Sequence, residues 1–241
     1  MKIAVCGYGA MGKLLSETLK LKLGEDFIGV VDRNSEHCFE NFNLLPEKPD
    51  VIIDFSHVDN LKELLKYSLQ NKISVLIATT GYSSEDINEI KRVSKEIPIL
   101  MATNTSLGIN LLNEIMAHIV PVLEEWDIEI IEKHHNKKMD SPSGTAKTLL
   151  EKINESLNQK KKYSYGRVGM EKREKDEIGV HSIRGGTIVG EHSVIFAGED
   201  EIIEIKHEAH SKKIFINGAI KGAIWLAHKK PGLYTMKDLL F

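Results

Sequence analysis

The chain has 241 residues, of which 41% are hydrophobic and 28% are charged, and its formal net charge is −3. This length allows one large domain or two modest ones with a buried core, and so small a net charge does not favour nucleic acid or an anionic membrane as a partner. The chain opens on a strand pattern rather than a signal-peptide layout, and it has no apolar run near the ~20 residues that span a bilayer. We therefore expect a cytoplasmic globular protein.

Strands and helices alternate in the first part of the chain. Short apolar runs predict strands at 2–6, 27–32, 51–54, 74–78 and 97–101, and the apolar spacing between them predicts helices at 14–23, 60–70 and 84–95. Strands separated by helices are typical of a parallel sheet wound on both faces. Cys6 is expected to be a small buried thiol, and its spacing from Cys38 matches neither a zinc site nor a disulfide framework.

The pattern changes after Asn104. It predicts a helix at 108–123, a strand at 126–133, a helix at 144–157, strands at 178–184, 188–197 and 201–207, and a closing helix at 214–228 before a break at Pro231-Gly232. The last two strands alternate β-branched and polar residues, as half-buried antiparallel strands do. We expect the charged runs at 160–162 and 171–177 to lie in a solvated loop.

These elements predict an α/β fold with two domains. Residues 1–104 and 212–241 form a Rossmann-like dinucleotide-binding domain around a doubly wound parallel sheet, to which the closing helix returns. Residues 105–211 form an α+β domain that binds the substrate.

A glycine-rich segment, Gly7-Tyr8-Gly9-Ala10-Met11-Gly12, lies between the first strand and the first helix. In a dinucleotide fingerprint the first glycine makes the tight turn, the second lets the backbone approach the pyrophosphate, and the third lets the helix pack closely. The helix N-terminus then attracts the phosphates. Asp32 follows Gly12 by 20 residues at a strand end, where a carboxylate meets the ribose hydroxyls. The alternative is an ordinary glycine turn with Asp32 on the surface.

Arg33 leaves the choice of cofactor open. The Asp32 carboxylate favours NAD, whereas a neighbouring guanidinium can pair with the 2′-phosphate of NADP, so NADH and NADPH are both expected; Arg33 is equally well explained as a solvated turn residue. Two further strand ends carry small hydroxyl residues and exposed backbone that suit a nicotinamide carboxamide, although each alone also fits an ordinary turn or N-cap. These residues are Ala78, Thr79 and Thr80 at one strand end and Ala102, Thr103, Asn104 and Thr105 at the other.

A basic segment precedes a predicted helix N-terminus. His134 titrates near neutrality and Lys138 is a stable cation, so one can deliver a proton while the other stabilises developing charge. Ser143 is a good N-cap, and Gly144 and Thr145 then offer N–H groups and a hydroxyl to a carboxylate. This pairing suits an enzyme that binds and protonates a small dicarboxylate. The alternative is a basic surface loop; a metal site is not expected, because adjacent histidines on an extended segment diverge.

The segment from Glu132 to Ala146 resembles the signature of the dihydrodipicolinate reductase family. The matching residues are Glu132-Lys133-His134-His135, Lys138 and Asp140-Ser141-Pro142-Ser143-Gly144-Thr145-Ala146. Further matching blocks are 78–81, 104–110, 181–186, 189–192, 196–198 and 231–234. The resemblance therefore covers essentially the whole chain.

The resemblance implies an NAD(P)H-dependent reductase of the diaminopimelate route to lysine. Such an enzyme transfers a hydride to C4 of 4-hydroxy-tetrahydrodipicolinate and gives tetrahydrodipicolinate with loss of water. His134 matches the family's proton donor or acceptor and Lys138 its catalytic lysine, while His135, Gly144 and Thr145 match substrate-binding positions. The matching cofactor positions are Gly7, Tyr8, Gly9, Ala10, Met11, Gly12, Asp32, Arg33, Ala78, Thr79, Thr80, Ala102, Thr103, Asn104 and Thr105. The family is usually a homotetramer built on substrate-domain strands, so residues 105–211 are also expected to serve oligomerisation.

The chain departs from longer family members around the cofactor site. Its glycine loop is one residue shorter, Met11 stands where an arginine is often found, and the segment after Asp32 is short and shows no clear helix. A missing phosphate-pairing arginine argues against a strong preference for NADPH. We predict that NADH is used at least comparably. Asn136 and Lys137 also differ from the residues frequent in the family and are expected to be peripheral.

Two other functions fit parts of the sequence. One is a different two-domain oxidoreductase, such as an amino-acid or semialdehyde dehydrogenase, although neither Cys6 nor Cys38 is placed to be the thiol nucleophile of the semialdehyde class. The other is a non-catalytic NAD(P)-sensing protein, which the presence of His134 and Lys138 disfavours. Measuring nicotinamide oxidation with and without substrate separates an enzyme from a sensor.

Overall fold

The structure, a computed structural model, describes residues 1–158 and 161–241. The strands in these ranges are β1 Ile3–Cys6, β2 Phe27–Val31, β3 Val51–Asp54, β4 Ser74–Ile77, β5 Pro98–Met101, β6 Asp127–His134, β7 Lys162–Tyr165, β8 Glu177–Arg184, β9 Gly190–Ala197, β10 Ile202–Ala209 and β11 Gly232–Tyr234. The helices are α1 Ala10–Leu23, α2 Leu61–Asn71, α3 Ser84–Val93, α4 Leu107–Ile119, α5 Gly144–Ser156, α6 Lys213–Leu226 and α7 Met236–Leu240. The chain divides into a first unit, Met1–Leu107 with Lys213–Phe241, and a second unit, Gly108–Lys212.

The first unit is built around a six-stranded parallel sheet in the order β11-β5-β4-β3-β1-β2. Strands β1, β3 and β4 are buried along their whole length, because helices cover both faces of the sheet. Ile3 of β1 belongs to the core that contains Leu15 of α1 and Ala219 of α6. Its neighbour Ala4 belongs to the opposite core, with Leu64 of α2. The predicted doubly wound, Rossmann-like sheet is confirmed.

The chain returns to the first unit through α6, as predicted, and continues past the expected break at Pro231-Gly232. Strand β11 pairs in parallel with β5, with Gly232 opposite Pro98, and a capping box of Thr235 and Asp238 begins α7. Neither β11 nor α7 was predicted from the sequence. A three-residue strand is too short to show an alternation, whereas the spacing of Thr235 and Asp238 is a local helix-start signal that was readable.

The second unit contains a mixed five-stranded sheet in the order β10-β9-β6-β8-β7. Strand β9 runs antiparallel to β6 and β10, as the alternating pattern predicted, while β8 runs parallel to β6 and β7. Half-buried and buried residues alternate along β6, and its buried Ile128 belongs to one core with Met116 of α4 and Leu149 of α5. The same alternation places Glu132 and His134 on the buried side of β6.

The prediction that the charged runs at 160–162 and 171–177 lie in a solvated loop was partly wrong. Lys162 begins β7, whose main chain pairs with β8, and the buried Lys161 donates from Nζ to the Lys175 carbonyl at 3.3 Å. Glu177 is buried as the first residue of β8, whereas Lys160 lies outside the described residues. Pairing with a distant strand satisfies these backbone groups, and local charge does not encode that pairing.

The helices in the described ranges are short. The longest, α1 and α6, have 14 residues each. None of the helices there is long and apolar enough to cross a membrane, which takes ~20 apolar residues.

Candidate active site

The loop after β1 is shaped by two glycines. Gly7 has a φ of 96°, and a Cβ at this position would lie 2.5 Å from the carbonyl oxygen of Phe55. A Cβ at Gly12 would lie 2.1 Å from the Gly7 oxygen, so α1 can pack onto the loop only with glycine at position 12. The Gly7 N–H donates to the Val31 carbonyl at 2.9 Å, which connects the loop to the end of β2.

The outer side of this loop is open. Gly9 and Ala10 are exposed, and no atom of the described residues lies within 4 Å of a Cβ built at Gly9. Helix α1 begins at Ala10, and its first turn continues with Met11, Gly12 and Lys13. The N-terminal N–H groups and the positive end of the helix dipole are therefore not neutralised by an acidic side chain of that turn. These residues fit a dinucleotide pyrophosphate, which needs close backbone approach and N–H donors.

Asp32 directly follows β2 and lies against the glycine loop. Its Oδ2 accepts a hydrogen bond from the Tyr8 N–H at 2.7 Å, and its Oδ1 accepts one from the Asn34 N–H at 2.8 Å. The half-buried carboxylate has further lone pairs with which to accept hydrogen bonds from hydroxyls. The structure thus brings Asp32 to the glycine loop, an arrangement that fits a ribose next to a pyrophosphate.

The Arg33 guanidinium forms an ion pair with Glu63 of α2. The Arg33 side chain is 64% exposed, so it lies at the surface, but it is not merely solvated. Both residues line a cleft of about 510 Å³, together with Glu40, Asn41 and Asn43. A 2′-phosphate at Arg33 would have to compete with the Glu63 carboxylate.

Buried polar groups connect the ends of β3 and β4. The Asp54 carboxylate accepts hydrogen bonds from Ser56 Oγ at 2.5 Å and from the Tyr82 hydroxyl at 3.2 Å, and the Ser56 N–H donates to Thr79 Oγ1 at 3.0 Å. Burial raises the pKa of Asp54, although hydrogen bonds from Ser56, Thr79 and Tyr82 oppose the shift. A Cβ at Gly7 would lie 2.7 Å from the Ser56 Cα. The predicted cofactor residues Gly7 and Thr79 therefore share one edge of the sheet.

The end of β5 contributes the other predicted cofactor residues. The buried Thr105 hydroxyl donates to the Phe215 carbonyl at 2.7 Å, and Asn104 Oδ1 accepts from the Ser106 N–H at 2.9 Å, so both side chains have structural partners. The remaining positions lie just after β4 and β5, which are adjacent strands. These are Ala78 and Thr80 at one end and Ala102 and Thr103 at the other, with both threonines exposed. Their contact with a cofactor stays a prediction.

In the second unit, β6 ends at His134, whose imidazole contacts Glu132. His134 Nδ1 is 2.6 Å from Glu132 Oε2, and the His134 side chain is 11% exposed. Burial lowers the pKa of His134, the contact with Glu132 opposes the shift, and the charges of Lys138 and Arg184 add to it. A Cβ at Gly190 would lie 3.1 Å from His134 Nε2, so glycine at that position keeps space beside this nitrogen.

Glu132 is fully buried and accepts several hydrogen bonds. Arg184 donates to Oε2 at 2.8 Å and to Oε1 at 2.6 Å, and the Ser143 N–H donates to Oε1 at 3.1 Å. Burial alone would raise the pKa of Glu132, but hydrogen bonds from Arg184, Ser182 and His134 lower it to about 2. Glu132 is therefore an anion at neutral pH.

His192 on β9 lies next to His134, with the two rings edge to face at a centroid distance of 5.2 Å. Its Nε2 is 2.9 Å from Ser143 Oγ, and its buried Nδ1 has no hydrogen-bond partner among the described residues. Burial and the nearby His134 lower the pKa of His192 to about 4, so the ring is neutral at pH 7. In the described part of the chain, His, Cys, Asp and Glu side chains form no group of three or more that could hold a metal ion.

Lys138 lies in the loop after β6 and is mostly buried. Its Nζ is 2.7 Å from Asp140 Oδ1, and its side chain is 21% exposed. Arg184 donates to the Asp140 carbonyl at 2.7 Å, so the guanidinium that contacts Glu132 also fixes this loop. Lys137, in contrast, is exposed.

Main-chain bonds hold the loop to the segment after β8. The Gly185 N–H donates to the His134 carbonyl at 2.9 Å, and the Asn136 N–H donates to the Gly186 carbonyl at 3.2 Å. His135 is half-buried, and its Nδ1 has no hydrogen-bond partner within the described ranges. The predicted basic segment is thus an ordered part of the structure rather than a free surface loop.

Helix α5 begins with an exposed glycine. Ser143 is its N-cap and accepts from the Ala146 N–H through Oγ at 3.1 Å. Gly144 is exposed, and a Cβ built there would meet no atom of residues 1–158 or 161–241 within 4 Å. Thr145 is half-buried beside it. The N–H groups of this first turn fit a substrate carboxylate.

Glu132, Arg184 and His192 were not predicted as site residues from the sequence. Glu132 carries a local signal, because it is an acidic residue at a buried position of an alternating strand, and a buried carboxylate needs a partner. Arg184 and His192 carry no comparable signal. They reach Glu132 and Ser143 only through the pairing of β6 with β8 and β9.

Two family models match nearly the whole chain. The model described as "Dihydrodipicolinate reductase, N-terminus" matches residues 1–105. The model described as "Dihydrodipicolinate reductase, C-terminus" matches residues 108–240. The two matched regions meet next to the boundary between the first and second units, at Leu107 and Gly108.

Similar proteins agree with these matches. A 4-hydroxy-tetrahydrodipicolinate reductase of Brachyspira hyodysenteriae is 48% identical over 240 residues, which covers 100% of both chains. The protein of the same name from Clostridium novyi is 46% identical over 238 residues and covers 96% of this chain and 94% of its own. The solved structure of a dipicolinate-bound dihydrodipicolinate reductase from Paenisporosarcina sp. TG-14 has a TM-score of 0.77 at 22% identity. It covers 98% of this chain and 97% of its own, and it shows the same fold.

Proposed function

The chain belongs to the dihydrodipicolinate reductase family, and on this premise we propose that it reduces 4-hydroxy-tetrahydrodipicolinate to tetrahydrodipicolinate with NADH or NADPH. This reaction is a step of diaminopimelate and lysine biosynthesis. In the net reaction the substrate gains a hydride and a proton and loses water. The observation that carries the proposal is an imidazole bonded to a buried carboxylate, in the same unit as an open helix N-terminus.

The first unit holds the cofactor in this proposal. The N–H groups around Gly9 and the start of α1 bind the pyrophosphate, and Asp32 accepts hydrogen bonds from the ribose hydroxyls. Thr80 and Thr103, which are exposed at the ends of β4 and β5, contact the nicotinamide. Bound NADH or NADPH supplies the hydride.

The second unit holds the substrate and the proton. His134 exchanges a proton through Nε2, because Nδ1 is engaged by Glu132. Lys138 lies beside Asp140, and its ammonium group stabilises negative charge that develops on the substrate.

The substrate carboxylates are bound by groups of the same unit. One carboxylate accepts N–H hydrogen bonds from Gly144 and Thr145 at the start of α5, where Ser143 fixes the first turn. His135, in the loop that carries Lys138, contacts the rest of the substrate. The positive end of the α5 dipole and the charge of Lys138 both favour an anionic ligand.

The cofactor site supports the use of NADH at least as well as NADPH. Asp32 suits the ribose hydroxyls of NADH, and Met11 supplies no charge for a 2′-phosphate. Arg33 is the cation expected to pair with such a phosphate, but its guanidinium already forms an ion pair with Glu63. An NADPH phosphate would have to displace a carboxylate, whereas NADH would not.

We also propose that the chain is a cytoplasmic homotetramer assembled through the sheet of the second unit. Strand β10 is the edge of that sheet, and its Ile202 and Ile203 are 69% and 41% exposed. A long edge strand with exposed apolar residues is a surface that other proteins cover by pairing. Sedimentation velocity of the purified chain measures the assembly directly.

A coupled assay tests the reaction. Dihydrodipicolinate synthase supplies the unstable substrate, and the loss of reduced-nicotinamide absorbance is followed with NADH and NADPH in separate reactions. We expect oxidation that depends on the synthase product with both cofactors. Cofactor binding without oxidation would instead fit a sensor, and oxidation only with an amino acid or a semialdehyde would fit another dehydrogenase class.

A further inference from the structure

The Glu132 carboxylate connects three parts of the second unit. It contacts the imidazole of His134 on the same strand at 2.6 Å, the backbone of Ser143 at the start of α5 at 3.1 Å, and the guanidinium of Arg184 at the end of β8 at 2.6 and 2.8 Å. Its side chain is 0% exposed. A buried carboxylate that several partners hold in place restricts the orientation of each side chain that hydrogen-bonds to it.

An ionised carboxylate can only accept hydrogen bonds, and this property determines the proton position on His134. Both Arg184 bonds and the bond from the Ser143 N–H require an accepting carboxylate, so His134 Nδ1, which also contacts this carboxylate, must donate as well. In the neutral imidazole the lone pair then lies on Nε2, on the side where Gly190 leaves space. The opposite tautomer would place two lone pairs against each other.

We propose that Glu132 is a positioning residue that holds His134 as the Nδ1–H tautomer and so makes Nε2 the atom that exchanges protons with the substrate. Arg184 is part of the same arrangement, because its two parallel hydrogen bonds fix the plane of the carboxylate. The inference rests on the proposed function, in which His134 is the group that exchanges the proton.

The charges around His134 predict the effect of removing the carboxylate. Glu132 faces the ring from its own strand, Arg184 from β8, His192 from β9 and Lys138 from the following loop. Burial lowers the pKa of His134, and Lys138 and Arg184 lower it further, whereas Glu132 opposes all three effects. Without the Glu132 charge the pKa of His134 falls further.

A merely structural role for Glu132 makes different predictions. If Glu132 served only to neutralise the half-buried Arg184, its replacement would lower the melting temperature but change neither the His134 tautomer nor the pH profile. Glu129 is a matched control on the same strand. It pairs with a histidine and two arginines, since its carboxylate is 2.8 Å from His181 Nε2 and 3.2 Å from both Arg167 and Arg173. However, it lies on the opposite face of β6 from Glu132.

The first measurement needs neither substrate nor a variant of Glu132. In ¹⁵N-histidine-labelled wild-type chain, with the His134 signals assigned from the spectrum of His134→Gln, we expect protonated Nδ1 and unprotonated Nε2 above the pKa of the ring. This result would support the proposal even if the chain did not reduce the expected substrate. An Nε2–H tautomer for His134 would overturn it.

The second measurement compares Glu132→Gln with Glu129→Gln in the coupled assay. For Glu132→Gln we expect kcat to fall about 10–100-fold, by analogy with the loss when a carboxylate that orients a metal-ligating histidine is replaced, with cofactor affinity unchanged. The limb of the pH profile that reports His134 should move to lower pH. Glu129→Gln should leave that limb in place. A Glu132→Gln enzyme with a wild-type kcat and pH limb would overturn the proposal, and if this variant does not fold, the wild-type tautomer decides the question.

Discussion

At the scale of single residues, the pairing of each imidazole determines what it can do at neutral pH. His134 and His192 lie together in the second unit, and burial lowers the pKa of both. At His134 the hydrogen bond to Glu132 opposes that shift, whereas His192 contacts a hydroxyl and its pKa is lowered to about 4. His134 is therefore the imidazole of the pair to which we assign proton exchange in the proposed function, and Lys138 is the lysine proposed to act with it.

Replacing these two residues tests their roles. We expect His134→Gln and Lys138→Ala each to lower kcat by about 10²–10⁴-fold, the contribution typical of general acid–base catalysis, with the cofactor Kd unchanged. Steady-state kinetics and calorimetric cofactor titration measure the two quantities. Lys137→Ala is the matched control, because Lys137 is an exposed lysine of the same loop, and it should be nearly silent. A turnover within about threefold of wild type for both His134→Gln and Lys138→Ala would contradict the assignment.

The Arg33–Glu63 ion pair predicts a shift in cofactor preference. Glu63→Gln frees the guanidinium, so we expect the Kd for NADPH to fall by up to about fivefold relative to that for NADH, since an exposed ion pair contributes at most about 1 kcal/mol. Arg33→Ala should weaken NADPH more than NADH. Calorimetric titration with each cofactor measures both effects. Glu40→Gln removes an acidic residue of the same cleft and should change the ratio less, and an equal change would show that net charge, not pairing, sets the preference.

At the scale of elements, two helix N-termini form the candidate anion sites. Helix α1 begins after Gly9 in the first unit, and α5 begins at Gly144 in the second. Both glycines are exposed, and in each case a Cβ would meet no atom of the described residues within 4 Å. Neither glycine is needed for packing there, and each leaves space at a helix N-terminus that a ligand could occupy.

Alanine at these two positions tests the ligand sites separately. We expect Gly9→Ala to raise the cofactor Kd and Gly144→Ala to raise the KM for the dicarboxylate, each by about tenfold, which corresponds to about 1.4 kcal/mol. Gly144→Ala should not lower the melting temperature, because Gly144 is the first helical residue of α5, alanine is the better helix former and it meets no clash. Gly9 is the N-cap of α1, where alanine is less favourable than glycine, so Gly9→Ala should lower the melting temperature slightly. Each variant serves as the control for the other. A Gly144→Ala enzyme with a wild-type KM would mean that the carboxylate does not bind at the start of α5.

At the scale of the whole molecule, the first and second units have separate cores. A change in pH can therefore lower the stability of one unit alone. His192 is 4% exposed in the second unit, and its pKa is lowered from 6.5 to about 4. Between these pH values the unfolded chain binds more protons than the folded chain, so stability falls as the pH falls. The full shift corresponds to about 3 kcal/mol.

Urea unfolding at pH 7.5 and pH 5 measures this linkage. Trp126 belongs to the second unit and Trp225 to the first, so fluorescence in a Trp225→Phe background reports the second unit. We expect the loss of stability at pH 5 to be clearly smaller in His192→Gln than in the parent. His118→Gln replaces an exposed histidine of the same unit and should retain the loss. Equal losses in all three chains would assign the effect to other groups.

Local patterns in the sequence were sufficient to predict most of the helices and strands. The strand predicted at 51–54 is Val51–Asp54, and the helix predicted at 144–157 is Gly144–Ser156, because an apolar run and an N-cap are properties of neighbouring residues. Strands β7 and β11 were missed because each is held by an adjacent strand rather than by an apolar pattern of its own.

The sequence by itself determined the doubly wound sheet, the glycine loop and the position of His134 and Lys138 ahead of a helix start. Only the tertiary structure decided their partners. Parallel pairing of β6 with β8 sets His134 opposite Arg184, and antiparallel pairing with β9 sets Glu132 opposite His192. The apolar alternation of a strand determines which of its faces is buried, but the choice of a partner strand distant in sequence depends on the packing of the whole sheet.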